Sequence, residues 1–332
     1  MVAPGPHKRG LRETMRMLFL RDYRSFFGGH LKYLHYLKHS LDIDRLHAEL
    51  FLAPSSLMEA SNIFLGAGVP ILSQLRPADA YFIAGLDWAM LDEANIDTRG
   101  RPVINLVQGV RHADPADPRY RYLSRPALRI CVSPEVEAAL LSSGRVNGPV
   151  VHIRAGIDLP DLAATTAPKK TGRVFVAAAK APALGVDIAA ALSAAPGLDL
   201  NLATGMLDRR AFLARMAEAE ICVTLPDLRE GFFLPALEAM VLGAAVVVPD
   251  CVGNRSFCRH GETCLVPARQ AAEIAAAVTA LAADSGFRAR LALAGRATAS
   301  GYSMSCERET YIDAALGYLN GWGRRDHRLT ER

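Results

Sequence analysis

Short apolar runs alternate with amphipathic stretches along nearly the whole chain, and this alternation constrains the fold more than any single motif. "MRMLFL" reads as a strand and "FGGHLKYLHYLKHSLD" as a glycine turn opening a helix. "AELFLAP", "VPILSQ", "AYFIAG", "PVINLVQG" and "LRICVS" read as further strands. "SPEVEAALLSSG" predicts a helix with Ser133 as N-cap and Pro134 as its first residue, and "PVVHIRAGID" a strand ending in a glycine turn. Residues 159–172, "LPDLAATTAPKKTG", lack periodicity and are rich in Pro, Thr and Ala, the composition of a linker. The alternation then resumes. "RVFVAAA", "LDLNLATG", "ICVTLP", "AAVVVPD" and "ETCLVPA" interleave with "GVDIAAALSAA", "DRRAFLARMAEAE" and two closing helices. Such alternation predicts α/β layering in two Rossmann-like domains, residues 1–158 and 173–303. A last helical segment, about 304–332, has no evident place inside the second block. Two α/β domains on one linker predict a ligand cleft at the carboxyl ends of parallel strands.

Composition sets the class. The 332 residues are 51% apolar and 22% charged, enough to bury two cores and far from a disordered composition. Six cysteines spread over so long a chain predict reduced thiols, as in a cytosolic protein. Met1–Gly10 is polar, unlike a signal peptide, and the longest apolar run, 239–249, is far below the roughly 20 residues that span a bilayer. A soluble, cytoplasmic protein is expected. The net charge of +4 is mild and predicts no nucleic-acid partner; the basic residues gather at the ends, "HKRGLRETMR" and "GRRDHRLTER". Those ends read as solvated termini, with a weak peripheral contact to the inner membrane face as the sharper alternative.

One segment carries chemistry. In "LPDLREGFFLPALEAMVLG" a strand ends near Leu225, a loop spans 230–233, and a helix starts at Leu234 with Pro235 in its first turn. The start of a helix offers unpaired backbone N–H groups and positive dipole character, which suit phosphate. Gly231 lets the loop backbone approach a ligand closely. Glu238, in the early turns, could hold two sugar hydroxyls, and Glu230, ahead of the helix, those of a second ring. Two hydroxyl-binding carboxylates around a pyrophosphate site describe a nucleotide-sugar pocket. Spacing alone favours the plainer reading, a surface acid and a glutamate near the helix start satisfying its dipole.

The wording of the segment goes further. "EGFFLPALEAMVLGAAVVVPDCVGN" resembles the nucleotide-binding motif of the retaining glycosyltransferases of family 4, which have the GT-B fold. "GETCLVPAR", "RICVSPEVEAAL", "IRAGID" and "FFGGHLKYLHYL" resemble further segments of that family, in order over nearly the whole chain. The resemblance implies that Glu230 contacts the transferred sugar, that Glu238 binds the ribose, and that Gly231, Phe232, Phe233 and Leu234 line sugar and diphosphate. It implies that Gly28 and Gly29 let the first loop approach diphosphate and acceptor, and that the last helix crosses back to the N-terminal domain. It further implies transfer with retained anomeric configuration, without metal or other cofactor, the departing phosphate oxygen taking the acceptor's proton.

The chain departs from the family at several positions. The usual arginine and lysine after the first strand of the second domain fall on Ala179 and Leu184, in "AAAKAPALGVD". Lys180 is the candidate replacement cation, because charge developing on a diphosphate must be met, and Arg255 a second. Gln108 stands where the family often has a sugar-facing histidine; it can hydrogen-bond but not act as a base. Arg111 and His112 follow it, and His112 is a catalytic candidate. His30, after the glycine pair, is assigned to the acceptor side, where a helix-capping role is the alternative. Asp87 and Trp88 read as a helix N-cap and a core tryptophan rather than an acceptor wall. Cys251, Cys258, His260 and Cys264 contain no tight C-x2-C pair, so no metal site is assigned. A nucleotide-sugar transferase is therefore expected, with a UDP- or GDP-sugar as donor and an unidentified glycan, lipid-linked or small-molecule acceptor. The alternatives are a nucleotide-sugar-binding protein with little or no turnover and an epimerase of the same fold.

Overall fold

In the computed structural model, residues 14–159 and 168–329 are described, without side chains from 323 onward. The two basic ends thus fall outside the described side chains, except for Arg16. The chain divides into two compact units. Unit 1 comprises the chain up to Leu106, Pro126–Arg129 and the segment from Tyr311; unit 2 comprises Val107–Arg125 and Ile130–Thr310.

The first sheet has seven strands: β1 (Met15–Arg21), β2 (Leu46–Leu52), β3 (Ile71–Leu72), β4 (Ala80–Ala84), β5 (Val103–Val107), β6 (Leu128–Cys131) and β7 (Val150–His152). Their order is β3-β2-β1-β4-β5-β6-β7. β1 pairs in parallel with β2 and β4, and β4 with β5. Parallel strands buried on both faces read as near-continuous apolar runs, as in "YFIA", and in "INLV" the one polar residue, Asn105, donates to the Ile83 carbonyl. Helix α1 (Gly28–Leu41) lies between β1 and β2 in the chain, and α2 (Trp88–Glu93) follows β4. Tyr33 of α1 ties this helix to the sheet: its hydroxyl accepts from the Leu20 N–H at 2.9 Å and donates to the Phe82 carbonyl at 2.7 Å. Phe19 and Phe82 stack with centroids 4.7 Å apart. Helix α3 (Pro134–Ser142) opens as its sequence predicts, with the Ser133 hydroxyl accepting from the Val136 N–H.

The second sheet holds β8 (Lys170–Ala177), β9 (Asp199–Ala203), β10 (Ala219–Thr224) and β11 (Ala245–Val247) in the order β11-β10-β8-β9, all parallel. Helices α4 (Pro182–Leu192), α5 (Arg209–Glu218), α6 (Leu234–Val241), α7 (Ala271–Ala283) and α8 (Ser285–Ala299) complete this α/β layer. β8 takes in Lys170–Gly172, the end of the predicted linker. Ion pairs support that polar start: Lys170 with Glu218 at 2.7 Å and Arg173 with Asp199 at 2.6 Å. "ETCLVPA" forms no strand; it contributes the single parallel bridge Val247–Leu265 and the local bridge His260–Cys264. The last helix, α9 (Met304–Leu329), carries Tyr311, fully buried in unit 1. Among the described residues no helix is long and apolar enough to cross a membrane.

Candidate functional site

The richest chemistry of unit 2 lies where β10 ends and α6 begins. β10 stops at Thr224, a loop carries Glu230 and Gly231, and α6 starts at Leu234 with Pro235 in its first turn. The helix therefore starts where its sequence places it. The loop is pinned from two sides. A Cβ on Gly231 would lie 2.2 Å from the Gln108 carbonyl oxygen, and one on Gly253 would lie 2.6 Å from the Phe232 nitrogen. No side chain fits at either position. The Phe233 N–H donates to the Gly253 carbonyl at 2.9 Å. Asn254 braces the neighbouring turn by accepting from the Cys251 N–H and donating to the Pro249 carbonyl.

Glu238 lies on α6 with 1% of its side chain exposed. Arg209, the first residue of α5, brings Nη2 to 2.7 Å from its Oε1. Neither carboxylate oxygen, however, has a hydrogen-bond donor aligned on it. The charge is met but the acceptor capacity is not. Buried acceptors left unbonded cost about 1–3 kcal/mol, so most buried polar groups find partners. An open, buried, charged acceptor is suited to a ligand's hydroxyls. Arg209 also donates to the Asp158 carbonyl at 3.2 Å. Sequence reasoning missed Arg209, because nothing in "LDRRAF" ties it to a glutamate 29 positions later.

Glu230 is half-buried and bonds Lys180, whose ammonium also lies 5.6 Å from the centre of the Phe233 ring. Lys180 thus reaches the loop. Leu184, at the family's lysine position, packs against the apolar core of unit 2 and brings no charge. Arg255 is engaged elsewhere, in a two-pronged pair with Asp250 at 3.0 and 2.6 Å. Phe233 and Leu234 are buried, and Phe232 packs on Phe257 and Tyr302.

The 107–125 stretch of unit 2 meets this loop. Gly109 approaches the Arg229 carbonyl, as Gln108 approaches Gly231. The Arg111 guanidinium is held below the usual arginine value by lost hydration, then by the charges of Arg119 and Arg229, while Glu230 pulls the other way. His112 is buried in a short turn. Burial would raise the neighbouring Asp117 carboxyl, but hydrogen bonds from Arg119 hold it low, with a smaller contribution from His112. Unit 2 therefore brings together Lys180, Glu230, Gly231, Gln108 and Arg111.

Gly28, Gly29 and His30 belong to unit 1, as the first three residues of α1. His30 is buried and accepts a hydrogen bond at Nδ1 from Arg21 Nε at 2.9 Å. Asp87 departs from the predicted N-cap role, since its side chain makes no cap bond to α2. Its carboxylate instead accepts from the Ala84 N–H at 2.9 Å and from Arg21 at 3.1 and 3.3 Å. Trp88 is 1% exposed, a core residue as expected.

Residues 189–284 match the family model described as Glycosyl transferases group 1. No curated protein sequence matches the chain. Among solved structures, Alr3699/HepE of Anabaena in complex with UDP and glucose has a TM-score of 0.68 at 15% identity, covering 91% of this chain and 100% of that one. Sucrose-phosphate synthase of Thermosynechococcus elongatus gives a TM-score of 0.68 at 15% identity, over 92% and 100% of the chains. A glycosyltransferase of Rickettsia africae gives 0.67 at 11% identity, over 93% and 99%. The likeness to group 1 glycosyl transferases thus holds over residues 189–284, from the end of α4 through α7, and the chain has the GT-B fold.

Proposed function

We propose that the protein is a retaining glycosyltransferase that moves a sugar from a nucleoside-diphosphate sugar to an acceptor hydroxyl. The observation that carries this reading is the buried Glu238 carboxylate with its oxygens unbonded, one helix turn from a loop that carries a second acid, Glu230. The UDP bound in the Alr3699/HepE structures favours a uridine nucleotide as donor. In this reading Glu238 accepts hydrogen bonds from the ribose hydroxyls. Backbone N–H groups at the start of α6 face the diphosphate, where helix termini favour anions. Lys180 leaves Glu230 for the distal phosphate and meets the charge of the departing group. Glu230, so released, binds hydroxyls of the transferred ring and stabilises its positive charge in the transition state without bonding to it. The leaving phosphate oxygen takes the acceptor's proton, so the reaction calls on no protein nucleophile and no metal. Gln108, Arg111 and His112 serve the sugar and acceptor side.

A second reading, binding of nucleotide sugar without turnover, is favoured by one observation: Leu184, at the family's lysine position, is committed to the core. Calorimetric titration with UDP and GDP, followed by assays of sugar release, separates the two. Glu238→Ala is expected to weaken nucleotide binding by about 2–3 kcal/mol, or roughly 30- to 150-fold, with the fold intact. Unchanged affinity would remove the ribose role and with it the reading.

A further inference from the structure

The first turn of α1 holds a polar cluster with an order of its own. Asp87 is buried and anchored by the Ala84 N–H, and it grips the Arg21 guanidinium. Arg21, at the end of β1, lies over the Tyr33 ring at 5.2 Å and points Nε at His30 Nδ1. An arginine N–H can only donate, so Nδ1 must present its lone pair and the neutral ring carries its proton on Nε2. Protonating Nδ1 would set two N–H groups against each other. Burial among aromatic rings and the charge of Arg21 outweigh Asp22, which favours a charge on the ring. Arg21 approaches from β1, Asp22 and Tyr23 from the loop after it, Phe27 from the start of α1, and Phe64 from the loop after β2. Burial, then the Arg21 charge, takes the His30 pKa down to about 3.

Side chains in a helix lean toward its N-terminus, so the His30 ring lies over the first turn, as its contacts with Tyr23 and Phe27 confirm. His30 is 5% exposed, and no hydrogen bond to Nε2 is made among the described residues. The positive end of a 14-residue helix, opening with two glycines, lies beneath it.

We propose that Asp87 and Arg21 form a relay that fixes His30 as a permanent Nε2–H donor to a substrate oxygen at the start of α1. His30 is then a binding group and never the base that deprotonates the acceptor. The identity of the oxygen, a donor phosphate or an acceptor hydroxyl, rests on the transferase reading; the tautomer and its relay do not.

The test is long-range proton–nitrogen NMR of the protein labelled with 15N-histidine, with the His30 signals assigned by their loss in His30→Gln. The expected result is a neutral Nε2–H ring that does not titrate between pH 5 and 8. In Arg21→Met burial still holds the ring below its ordinary value, but its pKa is expected to rise from that of the wild type and the fixed Nε2–H tautomer to be lost, because the Arg21 charge and its hydrogen bond to Nδ1 are gone. Adding UDP is expected to shift the Nε2 signal if the oxygen is the donor's; no shift assigns it to the acceptor. Turnover of the UDP-sugar that reacts fastest adds a second arm. His30→Gln places an amide donor near Nε2 and is expected to keep at least about a third of kcat/KM, whereas His30→Ala loses about 30-fold. A ring that titrates near pH 6.5 in the wild type, or an Nδ1–H tautomer, would overturn the relay. Equal losses in the Gln and Ala variants would overturn the donor role, while the tautomer and its relay are read by NMR without any turnover.

Discussion

Lys180 is the residue on which the departure from the resembled glycosyltransferase motif turns. It bonds Glu230 and lies over the Phe233 ring, so its ammonium is held at the loop preceding α6. If it moves to the distal phosphate on binding, Lys180→Ala weakens UDP about tenfold more than it weakens UMP, which lacks that phosphate. Calorimetry on both ligands decides this; equal losses would shift the role to Arg255, which must first leave Asp250. His30 gives a second residue-scale expectation, in acid. Its folded pKa of about 3 lies below the unfolded value of about 6.5, so only the unfolded chain takes up a proton between them. The stability owed to the neutral ring is whole above pH 6.5 and is lost as pH falls toward 3. Asp87 acts in the opposite sense. Burial pushes it up to about 6, so its contribution is whole below its ordinary value and is lost as pH rises through 6. Urea midpoints of wild type and His30→Gln between pH 7.5 and 5 separate the two, because Asp87 is common to both proteins. The wild type is expected to lose more on acidification; parallel curves would count against a neutral His30.

At the scale of the element, the loop between β10 and α6 owes its shape to glycine. The Gly231 backbone packs so closely on Gln108 that Gly231→Ala must displace one chain or the other. Overpacking of this kind costs about 1–3 kcal/mol, and here the displaced atoms are those proposed to face the diphosphate. UDP affinity is expected to fall at least tenfold in Gly231→Ala and to hold in Gly205→Ala, where an added Cβ meets nothing. An unaffected Gly231→Ala would show that the loop yields freely. The same loop shows what was legible in advance. The starts of α1, α3 and α6 were readable because cap, proline and glycine signals are local in sequence. The ribose role proposed for Glu238 rests on a signal of the same local kind, the motif carried by its neighbours along the chain. The polar start of β8 was not readable, because its support comes from ion pairs with strands and helices distant in sequence. Arg209 and the Asp87–Arg21 pair escaped for the same reason, the latter spanning 66 positions. Local chemistry writes itself into residue order, whereas tertiary pairing of ordinary arginines with ordinary acids does not.

At the scale of the whole molecule, the chain builds two parallel α/β sheets, and its last helix enters unit 1 through Tyr311. That hydroxyl shares a 2.6 Å hydrogen bond with Ser40, and its ring meets Tyr36 edge-on at 5.0 Å. The alternation of strands and helices announced the sheets; a helix with no place in its own block announced a docking elsewhere. Whether this scaffold performs retaining transfer is decided most directly by following a UDP-sugar with an α-linked donor, such as UDP-glucose, by proton NMR in the presence of chelator. UDP and a product of α configuration are expected to form together, at a rate that falls at least about 100-fold in Glu230→Gln while UDP affinity stays within about twofold. A β-configured product, turnover abolished by the chelator, or UDP-sugar bound yet unchanged would contradict it.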